Sequence, residues 1–150
     1  DFRMTLCIDV SVNHKCQSIN NTCTKTGHKQ CSNRSTCNCT VYDHETGKTN
    51  SVYDMGKLDS KDLYEVFLSG PKSLLTIENP AGQEGKELIV FRDSFGSAMI
   101  PLLVQDYAKV TVVDIRYIQP AMLERFIDFT GQDVLFLYST LVLNNSSTIK

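Results

Sequence analysis

The residues best suited to chemistry close the run E-L-I-V-F-R-D-S-F-G-S, Glu87 to Ser97. Leu88, Ile89, Val90 and Phe91 are continuously apolar, the pattern of a strand buried on both faces of a parallel sheet. Beyond Ser97 the period changes, and Met99, Leu102, Leu103 and Tyr107 fall on one face of a helix. Asp93, Ser94, Gly96 and Ser97 therefore occupy a strand-to-helix turn. A hydroxyl on such a turn stands clear of the backbone, beside amides that favour developing negative charge. That suits a serine nucleophile in acyl transfer. The amide of Ser94 and Gly96 would form part of an oxyanion hole, because tetrahedral acyl intermediates need backbone N–H donors. Asp93, Ser94 and Ser97 are equally the residue types that cap helices without doing chemistry, and the local pattern alone favours capping.

The elements that would position these residues alternate. Val110 to Val113 reads as a second buried strand, closed by Asp114. Pro120 suits the first turn of a second helix, with Met122, Leu123, Phe126 and Ile127 facing the sheet. Gly131 ends that helix, and Val134 to Tyr138 is a third strand. The expected architecture is a three-layer α/β domain with a mostly parallel sheet. Ligands of open α/β sheets lie outside the carboxyl ends of the strands. Asp93 and Ser94 then share a rim with Asp114, Arg116, Tyr117 and Ser139. Arg116 could hold an anionic group or pair with Asp114, and the ion pair is the favoured reading. Upstream, residues 40–53 read as a hairpin with Gly47 in its loop. Asp59 or Ser60 would cap a short helix carrying Leu63, Val66 and Phe67, and Leu74 to Ile77 a brief strand. His44 beside Asp43 invites a catalytic reading. A hairpin loop holds a base poorly, which weighs against it.

Composition narrows the rest. The 150 residues suit one domain of ordinary size. A formal charge of −2 gives no electrostatic case for nucleic acid. No apolar run reaches the roughly 18 residues of a membrane span, and the first residues do not form a signal peptide. No glycine-rich phosphate loop or dinucleotide fingerprint is present, so no cofactor is implied. All six cysteines (Cys7, Cys16, Cys23, Cys31, Cys37, Cys39) fall in residues 1–40, which also carry net positive charge. Three readings of that segment stay open: a disulfide-stapled module, a zinc site including His14 and His28, or a disordered or foreign extension. Asn20, Asn33 and Asn38 stand in N-x-[ST] sequons, which arise readily by chance in such a composition.

V-F-R-D-S-F-G-S-A-M-I-P-L-L, then V-T-V-V-D-I-R-Y, then D-V-L-F-L-Y-S, resembles the closing portion of the bacterial DHHW family. That family is similar to the SGNH-hydrolase-like proteins and related to the alginate O-acetyltransferases. The resemblance covers about residues 41–150, the C-terminal part of an SGNH-like α/β domain, and sets residues 1–40 apart. It implies that Ser94 stands at the nucleophile's position. It also implies that an upstream Asp-His-His-Trp motif supplies acid and base. This chain has no Trp, and His14, His28 and His44 include no adjacent pair. The implied function is a serine esterase or O-acyltransferase at the cell surface, acting on cell-wall or surface polysaccharide. The alternative is a non-catalytic extracellular protein that keeps the fold and binds glycan or a partner. A receiver-like or flavodoxin-like module, suggested by Asp at strand ends, is a further binding alternative. Taken alone, the chain is expected to be a weak catalyst.

Overall fold

The computed structural model describes residues 38–145 and 147, all within one compact unit, Cys31–Lys150. Its strands are β1 (Thr40–Asp43), β2 (Lys48–Asn50), β3 (Leu74–Glu78), β4 (Gln83–Arg92), β5 (Tyr107–Val113) and β6 (Asp133–Leu137). They form one sheet in the order β2-β1-β3-β5-β4-β6. The continuous run of β4 lies between β5 and β6 and is parallel to both, with Ile89 opposite Thr111 and Val134. The three strands read around the serine are thus adjacent and parallel.

The sheet as a whole is mixed. β3 pairs antiparallel with β5 and with β1, and β1 pairs antiparallel with β2, so three of the five pairings are antiparallel. A parallel pair needs a crossover of a dozen or more residues, whereas only residues 44–47 join β1 to β2. The expected mostly parallel sheet gives way for that reason. Gly47 turns the hairpin at φ 67°, a conformation glycine adopts without strain.

The helical layers are thin. α1 (Ile100–Leu103), α2 (Pro120–Leu123) and α3 (Thr140–Asn144) have four or five residues each. The helix expected after Ser94 is instead a 3-10 turn (Ser94–Ala98), α1 with Pro101 in its first turn, and a second 3-10 turn (Val104–Asp106). Tyr107 opens β5 rather than closing a helix, and its hydroxyl donates to Asp133 at 2.8 Å. In the second expected helix only Leu123 and Ile127 are buried; Met122 and Phe126 are exposed.

Alternation of side chains sends Leu88 and Val90 to one face of the sheet and Ile89 and Phe91 to the other. The first face packs with Val41, Ile77, Val110, Ile100 and Val104, the second with Leu74, Val113, Leu123 and Ile127. Cys39 is buried in the first core, so the folded region begins ahead of residue 41. The other five cysteines and the readings made for residues 1–37 lie outside the described residues.

Between β2 and β3 the chain folds over the first face. The helix expected there resolves into two 3-10 turns, Met55–Lys57 and Leu63–Val66, capped by the carboxylates of Asp54 and Asp62. A bridge pairs Tyr53 with Phe67, and Leu68 enters the core beside Val52. Among the described residues no helix is long and apolar enough to cross a membrane.

Candidate active site

Asp93 follows β4 in extended conformation and organises the turn beyond it. Its Oδ1 accepts from the Phe95 amide at 3.0 Å, and its Oδ2 accepts from the Ser139 amide at 2.7 Å. Its own amide donates to Leu137 O at 3.3 Å. One carboxylate thus joins the serine turn to the residue that caps α3. Asp93 is only 1% exposed. Burial alone would push its pKa up, but bonds from Ser139 and Phe95 and the charge of Arg116 bring it below the usual carboxylate range. Asp93 is ionised and fully engaged in shaping the turn.

Ser94 opens the 3-10 turn and is half-buried. Among the described residues neither its hydroxyl nor its amide has a hydrogen-bond partner. Of the two amides read as oxyanion donors, that of Ser94 is open. The Gly96 amide already donates to Asp93 O at 3.1 Å. What Gly96 supplies is space, since a Cβ there would lie 2.9 Å from Arg92 Cβ and 3.1 Å from Leu137 Cδ2.

Behind the turn lies a balanced charge cluster. Asp114 is fully buried and takes a bidentate fork from Arg116, Nε to Oδ1 at 2.9 Å and Nη2 to Oδ2 at 2.6 Å. This is the ion pair favoured for Arg116, and it keeps the guanidinium charged. Arg92 is 0% exposed, with Nη1 at 3.6 Å from Asp114 Oδ2 and donating to Asp93 O at 3.4 Å. Burial lowers its pKa, and its Nε and Nη2 have no partner among the described residues. Burial, helped by the negative charges of Asp114 and Asp93, pushes Tyr138 up to about 12, so it stays neutral at physiological pH.

His44 follows β1, whose carboxyl end lies on the same edge of the sheet as Ser94. Three strand spacings separate β1 from β4, about 14 Å. The His44 Nε2 pairs with Thr76 Oγ1 at 2.9 Å, and its ring meets Tyr42 and Phe126 edge-on. Burial lowers its pKa against the pull of Asp43. Ser139 caps α3, and Tyr117 is exposed.

Two residues escaped the sequence reading. Arg92 had a signal, a charge flush against an apolar strand. Tyr64 had none, yet its hydroxyl donates to Phe95 O at 2.6 Å and accepts from the Ala98 amide at 3.2 Å, spanning the serine turn.

A model of the family described as DHHW protein matches residues 17–113, 97 of the 150. The match begins inside the Cys-rich segment and ends with β5. Among solved structures, a DHHW family protein from Eubacterium siraeum is 26% identical, with a TM-score of 0.50 over 69% of this chain and 35% of its own. Bacillus cereus PatB1, solved alone and with a sulfonyl adduct, is 21% identical with a TM-score of 0.47 over 75% of this chain. The alignments cover 36% and 37% of those PatB1 chains. This chain therefore spans about a third of the length of the structures it matches. No curated protein matches it.

Proposed function

Since this chain belongs to the DHHW protein family, we propose that it carries the nucleophile-bearing part of an SGNH-like serine esterase or O-acyltransferase that acts on carbohydrate at the cell surface. The observation that carries the reading is Ser94: a half-buried serine just past the carboxyl end of β4, the middle of the three parallel strands, with hydroxyl and amide both unengaged among the described residues. In the proposed reaction the hydroxyl oxygen attacks the acyl carbon, a base takes its proton, and the Ser94 amide faces the developing oxyanion. The alcohol leaves, and water or a sugar hydroxyl then takes the acyl group from Ser94.

Among the described residues no group around Ser94 is free to act as that base, so the enzyme reading takes it from outside them. Asp93 is bonded to two amides, Asp114 to Arg116, and Tyr138 is held neutral. His44 lies three strands away. That absence of a histidine beside Ser94, among the described residues, favours the second reading: a non-catalytic surface protein that binds glycan or a partner through the same edge.

Treatment of the folded chain with an acyl-serine probe separates the two. The enzyme reading expects a slow adduct at Ser94 in preference to Ser97, Ser139 and the other serines, lost in Ser94→Ala. Labelling spread evenly over exposed serines would leave the binding protein standing instead.

A further inference from the structure

Tyr64 sits near the tip of the segment that folds over the first face of the sheet. The segment is closed at its base by the Tyr53–Phe67 bridge and by the Asp54 amide donating to Val66 O at 2.8 Å. Lys57 and Glu65 pair across it at 3.0 Å. It leaves the sheet face through two consecutive non-glycine residues in the left-handed region, Leu68 at φ 57° and Ser69 at φ 61°. Each such residue costs on the order of 1 kcal/mol or more and persists only where its surroundings enforce it. Here they do: Leu68 is fully buried, its amide donates to Val52 O at 3.0 Å, and Ser69 Oγ donates to Asp54 Oδ2 at 2.7 Å.

What this strained closure delivers is one hydroxyl. Tyr64 Oη gives its proton to Phe95 O and receives the Ala98 amide, so it clasps the peptide groups on either side of Gly96 and Ser97. Its ring is fixed against Phe67, with centroids 5.3 Å apart. The 3-10 turn has only five residues and little internal support of its own. Asp93 anchors it on the strand side and Tyr64 on the outer side.

We propose that Tyr64 is a positioning residue for Ser94, holding the serine turn in its reactive conformation through the strap of residues 53–69. The consequence for reactivity rests on Ser94 being the nucleophile; the consequence for the turn's conformation does not.

The test uses the full chain in three forms: wild type, Tyr64→Phe, and Glu65→Gln as a control that breaks the neighbouring ion pair. Tyr64→Phe keeps the ring on Phe67 and removes only the hydroxyl. Amide exchange over residues 95–98 should rise about tenfold or more in Tyr64→Phe, with β3, β5 and the strap's own amides unchanged, and should not move in Glu65→Gln. The maximal rate of Ser94 adduct formation by the acyl-serine probe should fall about tenfold with the half-saturating probe concentration unchanged, since small misplacements of a reacting atom are costly. A uniform rise in exchange over the whole sheet, or none, overturns the proposal. Local exchange that rises while Ser94 labels equally fast in both forms confines Tyr64 to the fold and overturns positioning. If wild-type Ser94 takes no label, the enzyme reading fails, and exchange alone decides whether Tyr64 holds the turn.

Discussion

Replacing Asp93 by alanine removes the acceptor of two amides at once. The Phe95 amide at 3.0 Å and the Ser139 amide at 2.7 Å both lose an ionised partner in a buried setting. Hydrogen bonds to charged groups contribute roughly 1.5–3 kcal/mol each, and an N-cap about 1. Ser139 is half-exposed and can recruit water, which discounts the sum. The net expectation is a loss of about 3 kcal/mol, or roughly 10–15 °C in Tm. Asp93→Asn should do no better. Its single carbonyl oxygen can keep one amide, while its NH2 group confronts the other, donor against donor. The pH profile supplies an independent check. Because the folded pKa of Asp93 lies below its ordinary value, its stabilisation is present above about pH 4 and fades as pH falls through the folded pKa. Asp43, lowered in the same sense against the effect of its burial by Lys72 at 2.9 Å, contributes a second acid-sensitive part. Urea denaturation from pH 7 to pH 3 should therefore show a shallower acid decline in Asp93→Ala, with the Asp43 part remaining. Should the variant match wild type at pH 7 within about 0.5 kcal/mol, or keep the full acid decline, the carboxylate is not what joins the turn to β6.

Gly96→Ala places a methyl group against Arg92 Cβ and Leu137 Cδ2 and should cost about 1–3 kcal/mol in thermal denaturation; an unchanged Tm would contradict the close approach. Arg116→Lys loses the two-pronged contact to buried Asp114 and should destabilise by about 1–2 kcal/mol, measured by urea titration, whereas a neutral result would mean that Arg92 alone satisfies Asp114. Activated-ester hydrolysis by wild type, Ser94→Ala and His44→Ala should be slow and similar, because a serine without an adjacent base is a poor nucleophile; backbone donors alone give roughly 10³-fold over water. A robust rate abolished by both substitutions would bring His44 to Ser94 and refute their separation by three strands.

The site's centre was legible because several local signals agreed. The four apolar residues before Arg92 fit a strand with neighbours on both faces, which puts Asp93 and Ser94 beyond it at the rim. The Asp114–Arg116 pair was legible from spacing, with the guanidinium just past the strand end. The antiparallel half of the sheet was not, because β3 joins β5 through contacts between residues more than thirty apart, with no turn motif to announce them. Helix lengths failed for a different reason. Met99, Leu102 and Leu103 do keep helical spacing, but the β-forming residues from Tyr107 to Val113 extend their strand backwards and leave α1 one turn. Gly96 was read for its amide, whereas its missing side chain is what the packing demands. Tyr64 acts across 31 residues of sequence, a distance at which no periodicity speaks.

The bond from Ser139 to Asp93 ties the serine turn to β6, the outermost strand on that side, whose Val134 and Phe136 are exposed. Edge strands open locally more readily than the centre of a sheet, so segments bound to them open at the lower free energy. The turn follows a strand paired on both sides, yet one of its two attachments reaches the chain just beyond an edge strand. Amide exchange at Ser139 should then follow the β6 amides and not those of Val90 or Phe91. The temperature at which Ser94 loses its alignment would be set by fraying at the margin, well before the sheet itself melts.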